Sequence, residues 1–346
     1  MKIVGCDFHP SFQQVAILDT STGEVGELKL IHASGEAERF YRELEAPILV
    51  GMEAVGNTLW FERLMEQLGH ELWIGDAAQI RASYVRRQKT DKRDAGHILR
   101  LLVEKRFPRI WVPSSQERDQ RQLLLHRHRL VQMRTKVKTE LQHLALNQGL
   151  QKQRGLWSVR GRADLEKLPL AGWTARRRGD LLAVLAMLEE QVASLDEAVS
   201  QVAYSNARAR LLMTQPGVGP ITALAFVVTM GDVARFKRGK QVASYLGLIP
   251  SERSSGLKRR LGAISKQGNV FLRTMLVEAA QSAVRYDQEF KKEYAHRCHQ
   301  KPKGVAKVAA ARKLAVRLYW MLRTRTPYAH VVHNEGSPSL PVVGAS

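Results

Sequence analysis

From Leu181 to Val202 the chain places Leu181, Leu185, Leu188, Val192, Leu195, Val199 and Val202 at alternating steps of four and three residues. This spacing keeps an unbroken apolar stripe on one side of a helix, and no strand can present it. A helix this long must lay its dry seam against another helix. One partner within the chain is the stretch where Leu123, Leu130, Val137 and Leu144 recur every seven residues. Its other faces carry Arg121, Arg127, Arg129, Arg134, Lys136 and Lys138. An antiparallel hairpin within one chain and a coiled coil joining two protomers satisfy the heptads equally well.

The helical stretch lies in the middle of 346 residues, a length that suits about two or three domains. Before it, residues 2–8, 13–19 and 24–32 are short β-rich runs separated by Pro10 and by Thr20-Ser21-Thr22-Gly23, which predicts a three-stranded meander. A helix with Phe40, Tyr41 and Leu44 on one face follows. The nearly continuous apolar run Pro47–Met52 reads as a buried central strand, a helix near 57–69 ends at Gly69, and Glu71–Ile74 makes a fifth strand. Beyond Arg208 the chain is helical again, with Pro216-Gly217-Val218-Gly219-Pro220 breaking two apolar stretches. A polar loop is expected from Ser251 to Arg260, then helices near 268–285 and 302–325. The expected fold class is α/β plus all-α. Its parts are a catalytic α/β domain at 1–105, a helical coiled-coil region at 106–205, a mostly helical C-terminal domain at 206–327 and a flexible tail at 328–346.

Charge divides along the same line. Through residue 105 there are 13 basic and 16 acidic residues, against 41 and 17 beyond it, within a formal net charge of +21. Such an excess attracts polyanions, so nucleic acid is the expected partner of the later regions. Cys6 and Cys298 are the only cysteines and have no metal-site spacing, which fits a reducing compartment. No apolar run reaches signal-peptide or membrane-spanning length, so a cytoplasmic protein without membrane partners is expected.

Four carboxylates stand out in the acidic part. Asp7 lies in the first strand between Cys6 and Phe8, and Glu53 closes the buried run 47–52. Asp91 and Asp94, three apart at the start of a helix, share one face. Asp7, Asp91 and Asp94 each alone read as a cap or turn residue, while Glu53 at a central strand end points at the crevice where open α/β sheets bind ligands. Together the four would repel strongly unless cations neutralised them, and hard oxygen donors suit Mg²⁺ or Mn²⁺. The turn Phe8-His9-Pro10-Ser11-Phe12 has no glycines to cradle a phosphate, which sets aside the kinase and ATPase arrangement with the same strand order. In the basic part, Gly217 and Gly219 resemble a helix-hairpin-helix turn that approaches phosphates, with Lys237, Arg238 and Lys240 nearby. The loop Glu252–Arg260 surrounds Ser254 and Ser255 with Lys258, Arg259 and Arg260.

The chain resembles the Asp-Glu-Asp-Asp transposases of bacterial insertion sequences, the one-ten group and its eleven-eleven subgroup, also described as bridge-RNA-guided recombinases. The likeness rests on Gly5-x-Asp7, Glu53, Lys89-Thr90-Asp91-x-x-Asp94-Ala95, Pro216-Gly217-Val218-Gly219-Pro220, Gly247-Leu248-x-Pro250, Ser254-Ser255-Gly256, Leu261-Gly262-x-Ile264-Ser265-Lys266-x-Gly268-Asn269 and Leu272-Arg273. It implies a ribonuclease H-like (RuvC-like) N-terminal domain whose Asp7, Glu53, Asp91 and Asp94 hold divalent metal. It also implies a C-terminal transposase domain whose serine forms a phosphoserine link to DNA, matched to Ser255 because glycine follows it. The implied partners are donor and target DNA, a structured bridge RNA and further copies of the chain, as a dimer or tetramer. Lys266 and Arg273 join the residues expected on nucleic acid. Asp76 stands where this family more often has asparagine. A structure-selective endonuclease using water, or a non-catalytic nucleic-acid scaffold, are the alternative readings.

Overall fold

The β-rich runs at the start of the chain pair in register as a meander: β1 (Lys2–Phe8) with β2 (Phe12–Asp19), and β2 with β3 (Val25–Ile31), both antiparallel. These come from a computed structural model that describes residues 1–84, 91–151, 155–252 and 260–329. Helix α1 (Glu36–Glu43) leads to β4 (Leu49–Glu53), α2 (Leu59–Gln67), β5 (Glu71–Gly75), α3 (Ala77–Ala82) and α4 (Asp91–Val103). β4 adds parallel to β1 and β5 parallel to β4, giving one sheet of order β3-β2-β1-β4-β5.

Alternation along the strands sorts the side chains into two layers. Val4, Cys6, Phe8, Val50 and Met52 face Tyr41 of α1 and Phe61, Leu64 and Met65 of α2. On the opposite face, Leu49 of β4 packs with Ile98, Leu101 and Leu102 of α4, while Ala16 of β2 packs with Ala95 and Leu99. β3 and β5 are the edge strands, and Leu30 is the one buried residue of β3. The chain divides into two units, Met1–Val112 and Pro113–Ser346.

The second unit begins with α5 (Ser115–Asn147), started by a capping box in which Ser114 and Glu117 satisfy each other's backbone N–H groups. After α6 (Val159–Glu166) comes α7 (Gly172–Ser205), which carries the long heptad. α5 and α7 pair within one chain and run antiparallel, tied by Arg127–Asp196 at 2.7 Å, Lys138–Glu189 at 2.8 Å and Arg177–Glu140 at 3.2 Å. Leu185, Leu188, Val192 and Val199 are buried, which fills the seam from within the molecule. The basic faces of α5 are less free than the sequence suggests. Arg127 and Lys138 are paired across the hairpin, and Arg121 donates to the carbonyl of Val228.

α8 (Ala207–Met213) and α9 (Pro220–Met230) follow, then α10 (Gly239–Tyr245), β6 (Pro250–Glu252), β7 (Leu261–Ile264), α11 (Val270–Tyr286), α12 (Gln288–Gln300) and α13 (Lys303–Thr324). α9 is buried from Thr222 to Met230, as an all-apolar helix must be. Its cluster joins Leu124 of α5, Val199 and Ala203 of α7, and the inner faces of α11 and α13, so the hairpin and the C-terminal helices share one core. On either side of the expected polar loop, whose residues 253–259 lie outside the described residues, β6 and β7 form an antiparallel pair, with Pro250 opposite Ile264 and Glu252 opposite Leu261. Both strands are mostly exposed, so no apolar alternation announced them. Most of the expected tail, residues 330–346, lies outside the described residues. Among the described residues no helix is long and apolar enough to cross a membrane.

Candidate functional site

Asp7 and Glu53 reach the same end of the sheet because β1 and β4 run parallel with Cys6 opposite Met52. Each acid is the next residue on its strand. Both therefore point away from the core that holds Cys6 and Met52, toward the layer of α4.

Gly5 sets how closely α4 approaches that layer. A methyl group there would lie 2.3 Å from the carbonyl oxygen of Ala95 and 2.4 Å from the amide nitrogen of Leu99, so the helix backbone rests directly on β1. Two residues further along β1 is Asp7, and toward the helix N-terminus from Ala95 are Asp94 and Asp91. The crossing thus carries the two helical acids to the strand end.

Asp94 is only 5% exposed, and its Oδ1 accepts a hydrogen bond from the Tyr84 hydroxyl at 2.6 Å. The imidazole of His9 lies with Nε2 3.1 Å from Asp7 Oδ2 and 3.8 Å from Asp91 Oδ1. Among the described residues, Asp7, His9 and Asp91 present ligand atoms within 4.8 Å of one another. Glu53 Oε1 pairs with Arg81 Nη2 at 3.3 Å. Burial holds the Asp7 carboxyl above its usual range, His9 draws it back down, and the charges of Asp94 and Asp91 push it up. The Tyr84 hydroxyl is likewise raised, first by burial, then by its bond to Asp94 and by the charges of Asp94, Asp7 and Glu53. Asp7 of β1 and Asp91 and Asp94 of α4 therefore share one electrostatic neighbourhood, while Glu53 stands at the same end of the sheet, paired with Arg81 and outside the close group of ligand atoms. A donor set of several carboxylate oxygens, partly withdrawn from water, fits a hard divalent cation.

Asp76 stays apart from this set: it caps α3 by accepting from the backbone N–H of Gln79 at 2.9 Å. His9, Tyr84 and Arg81 were not legible as partners of the acids. Tyr84 precedes Asp94 by ten residues with no helical spacing to join them, and His9 reads in sequence only as part of a bulky turn.

In the second unit Lys237, Arg238 and Lys240 are exposed around the start of α10, and Lys266 is exposed with a left-handed φ of 56°. Arg260 is exposed and engaged in an interaction. Gly219 is exposed with open space around its α-carbon. Gly217 has another use, since at φ 87° a methyl group would lie 2.3 Å from the amide nitrogen of Ala283. Its missing side chain lets the turn seat on α11. Arg273 corrects the sequence reading: it is buried, and its Nη1 donates to the carbonyls of Leu246 at 3.0 Å and Gln267 at 2.8 Å. It ties the start of α11 to the end of α10 and presents no face to a polyanion. Ser254, Ser255, Lys258 and Arg259 lie outside the described residues, as do Lys89 and Thr90.

Comparison with known proteins gives two family matches. Residues 4–148 match a transposase family of the DEDD IS110 type, and residues 209–295 match the transposase IS116/IS110/IS902 family. A protein of Pseudomonas aeruginosa named "Probable family 20 transposase" is 32% identical, across 93% of this chain and 96% of its own length. The transposase for insertion sequence element IS1111A of Coxiella burnetii is 30% identical, across 83% of this chain and 79% of its own. The pilin gene-inverting protein of Moraxella lacunata is 28% identical, across 71% and 70%.

Proposed function

This chain belongs to the IS116/IS110/IS902 family of transposases, and we propose that its first unit is a RuvC-like catalytic domain in which Asp7, Glu53, Asp91 and Asp94 hold Mg²⁺ or Mn²⁺. Bound divalent ions would polarise a phosphate oxygen and stabilise charge on the attacking and leaving oxygens of a phosphoryl transfer. The protein's part is to fix the carboxylates. Asp94 is held by burial and by Tyr84, Asp7 by its place in a central strand, and Glu53 by the parallel register of β4. One observation carries this reading. Asp7, His9 and Asp91 present ligand atoms within 4.8 Å of one another with buried Asp94 on the same helix end, and acids gathered this way cost stability unless cations offset them.

The second unit supplies Ser255 as nucleophile. Its Oγ forms the bond to phosphorus while the bridging deoxyribose oxygen leaves, so the strand stays attached as a phosphoserine ready for rejoining. Donor and target DNA are the substrates, and a structured bridge RNA pairs with both to set the sites. Gly219, Lys237, Arg238, Lys240, Lys258, Arg259, Arg260 and Lys266 contact phosphates, which position the polymer without reading its bases. The chain works as a homo-oligomer, a dimer or tetramer. A relative named for inverting a gene fits a cut-and-rejoin reaction.

Trapping on denaturing gels tests the nucleophile. Wild type is expected to give a covalent protein–DNA adduct that Ser255→Ala lacks. An adduct that survives in Ser255→Ala and vanishes in Ser254→Ala moves the assignment by one residue, and no adduct in wild type favours water as nucleophile. Asp7→Asn is expected to lose cleavage and keep DNA and RNA binding. Full cleavage by that variant would falsify the metal assignment.

A further inference from the structure

We propose that His9 is itself a metal ligand, so that the centre built around Asp7 is a mixed nitrogen and oxygen site and not an all-carboxylate one. The inference rests on the divalent-metal reading of the acidic cluster given above and adds one donor of a different chemical kind to it.

His9 Nε2 is the atom turned toward the acids, at 3.1 Å from Asp7 Oδ2 and 3.8 Å from Asp91 Oδ1. One atom from each of the three residues falls within 4.8 Å of the others, a spread that a single cation can span at ordinary metal–ligand lengths. The ring is also held in place. His9 stacks on Phe12 with ring centroids 4.5 Å apart and planes inclined by 22°. Its backbone N–H donates to the carbonyl of Phe12 at 2.9 Å, closing the turn between β1 and β2. Phe12 is fixed in turn by Lys29, whose Nζ lies 4.2 Å from the ring centre. Support of this kind, from residues that do not touch the ion, is what orients a ligating imidazole.

The side chain of His9 is 35% exposed, so its ring edge is open to solvent and to an ion while one face stacks on Phe12. A hydrogen bond to Asp7 alone is the competing role, and it leads to a different result. Imidazole nitrogen raises affinity for later first-row metals far more than for Mg²⁺, whereas carboxylates and water suit Mg²⁺. A ligand at His9 therefore tilts the centre toward Co²⁺ relative to Mg²⁺. A residue that only orients Asp7 affects both alike.

The test uses the full-length protein and the metals alone. With one equivalent of Mn²⁺, electron spin-echo modulation is expected to show coupling to a ¹⁴N nucleus in wild type and none in His9→Asn. By calorimetry, His9→Asn is expected to lower Co²⁺ affinity by a larger factor than Mg²⁺ affinity, so that the Co²⁺ to Mg²⁺ affinity ratio falls. His9→Asp, which restores an oxygen donor, is expected to bind Mg²⁺ at least as well as wild type without the nitrogen coupling. This second variant separates loss of a ligand from loss of the fold. Mn²⁺ binding in wild type without nitrogen coupling, and a Co²⁺ to Mg²⁺ ratio unchanged in His9→Asn, would overturn the role of His9 and leave the carboxylate centre standing. Wild type that binds none of these metals while folded would overturn both.

Discussion

Gly5→Ala adds one methyl group where α4 crosses β1, and the surrounding atoms are backbone. The new carbon would sit 2.3 Å from the Ala95 carbonyl oxygen, 2.4 Å from the Leu99 nitrogen and 2.9 Å from the Leu99 α-carbon. Ordinary contact between such atoms needs about 3.5 Å, so helix and strand must part by roughly 1 Å. No rotamer change can relieve this. Overpacking of that kind costs about 1–3 kcal/mol, and a clash with the backbone of two residues of α4 belongs at the upper end of the range. The functional effect should exceed the loss of stability, because Asp91 and Asp94 travel with α4 while Asp7 stays on β1. A misplacement of about 1 Å in a reacting site costs on the order of 10²-fold in rate. Gly96→Ala is the control. It lies in the same helix with nothing within 4 Å of the added carbon, and is expected to stabilise α4 by about 0.5–1 kcal/mol. Hydrogen exchange of the β1 and α4 amides in the full chain measures both effects locally, and a Mn²⁺ titration reads the site. If Gly5→Ala keeps wild-type protection and wild-type Mn²⁺ affinity, the reasoning that α4 positions the acids by resting on β1 is refuted.

Tyr84→Phe removes the donor to buried Asp94; divalent affinity is expected to fall about 10–100-fold by calorimetry, and an unchanged value would deny Tyr84 a positioning role. Arg317→Met leaves Asp287 buried without its guanidinium partner, 3.1 Å away and 1% exposed, and should cost about 3–5 kcal/mol in urea unfolding. Burial alone would raise Asp287, but the Tyr328 hydroxyl, the Phe290 N–H and Arg317 outweigh it and hold it below the usual carboxylate range. The stability it contributes is therefore present above the ordinary value of 3.8 and is lost as pH falls through the lowered one. In Arg317→Met that acid loss should move to higher pH, and a midpoint that stays in place would contradict the pairing. Neutralising Lys237, Arg238 and Lys240 is expected to flatten the slope of log affinity for duplex DNA against log salt by about 0.9 for each phosphate contact removed. An unaltered slope would place the DNA elsewhere. Leu188→Ala, which opens the α5–α7 seam, should cost about 2–5 kcal/mol, read as a lower midpoint of thermal unfolding.

Much of the N-terminal unit was legible because its signals are local. Alternating and continuous apolar runs predicted five strands, and the structure has them at Lys2–Phe8, Phe12–Asp19, Val25–Ile31, Leu49–Glu53 and Glu71–Gly75. The acids were picked out by their places at strand ends and in a first helical turn. Their partners were not, because a contact such as Tyr84 with Asp94, or His9 with Asp91, leaves no periodic trace along the chain. The hairpin strands β6 and β7 escaped for a related reason: with almost no buried side chains they have no apolar pattern to read.

The amino-acid order by itself determined that a heptad helix must bury its seam, that the basic excess lies beyond the first 105 residues, and that Asp7, Glu53, Asp91 and Asp94 were the acids to watch. Periodicity and charge are properties of neighbouring residues, so one chain suffices to read them. Only the tertiary structure laid the heptad of α7 against α5 of the same chain, since identical spacing serves a partner in the same chain or in another. It alone placed Arg273 in the interior, because the carbonyls of Leu246 and Gln267 meet it only after α10 and α11 pack. The use of Gly5 as the seat of α4 belongs there too: a missing side chain acquires a role only when another backbone arrives beside it.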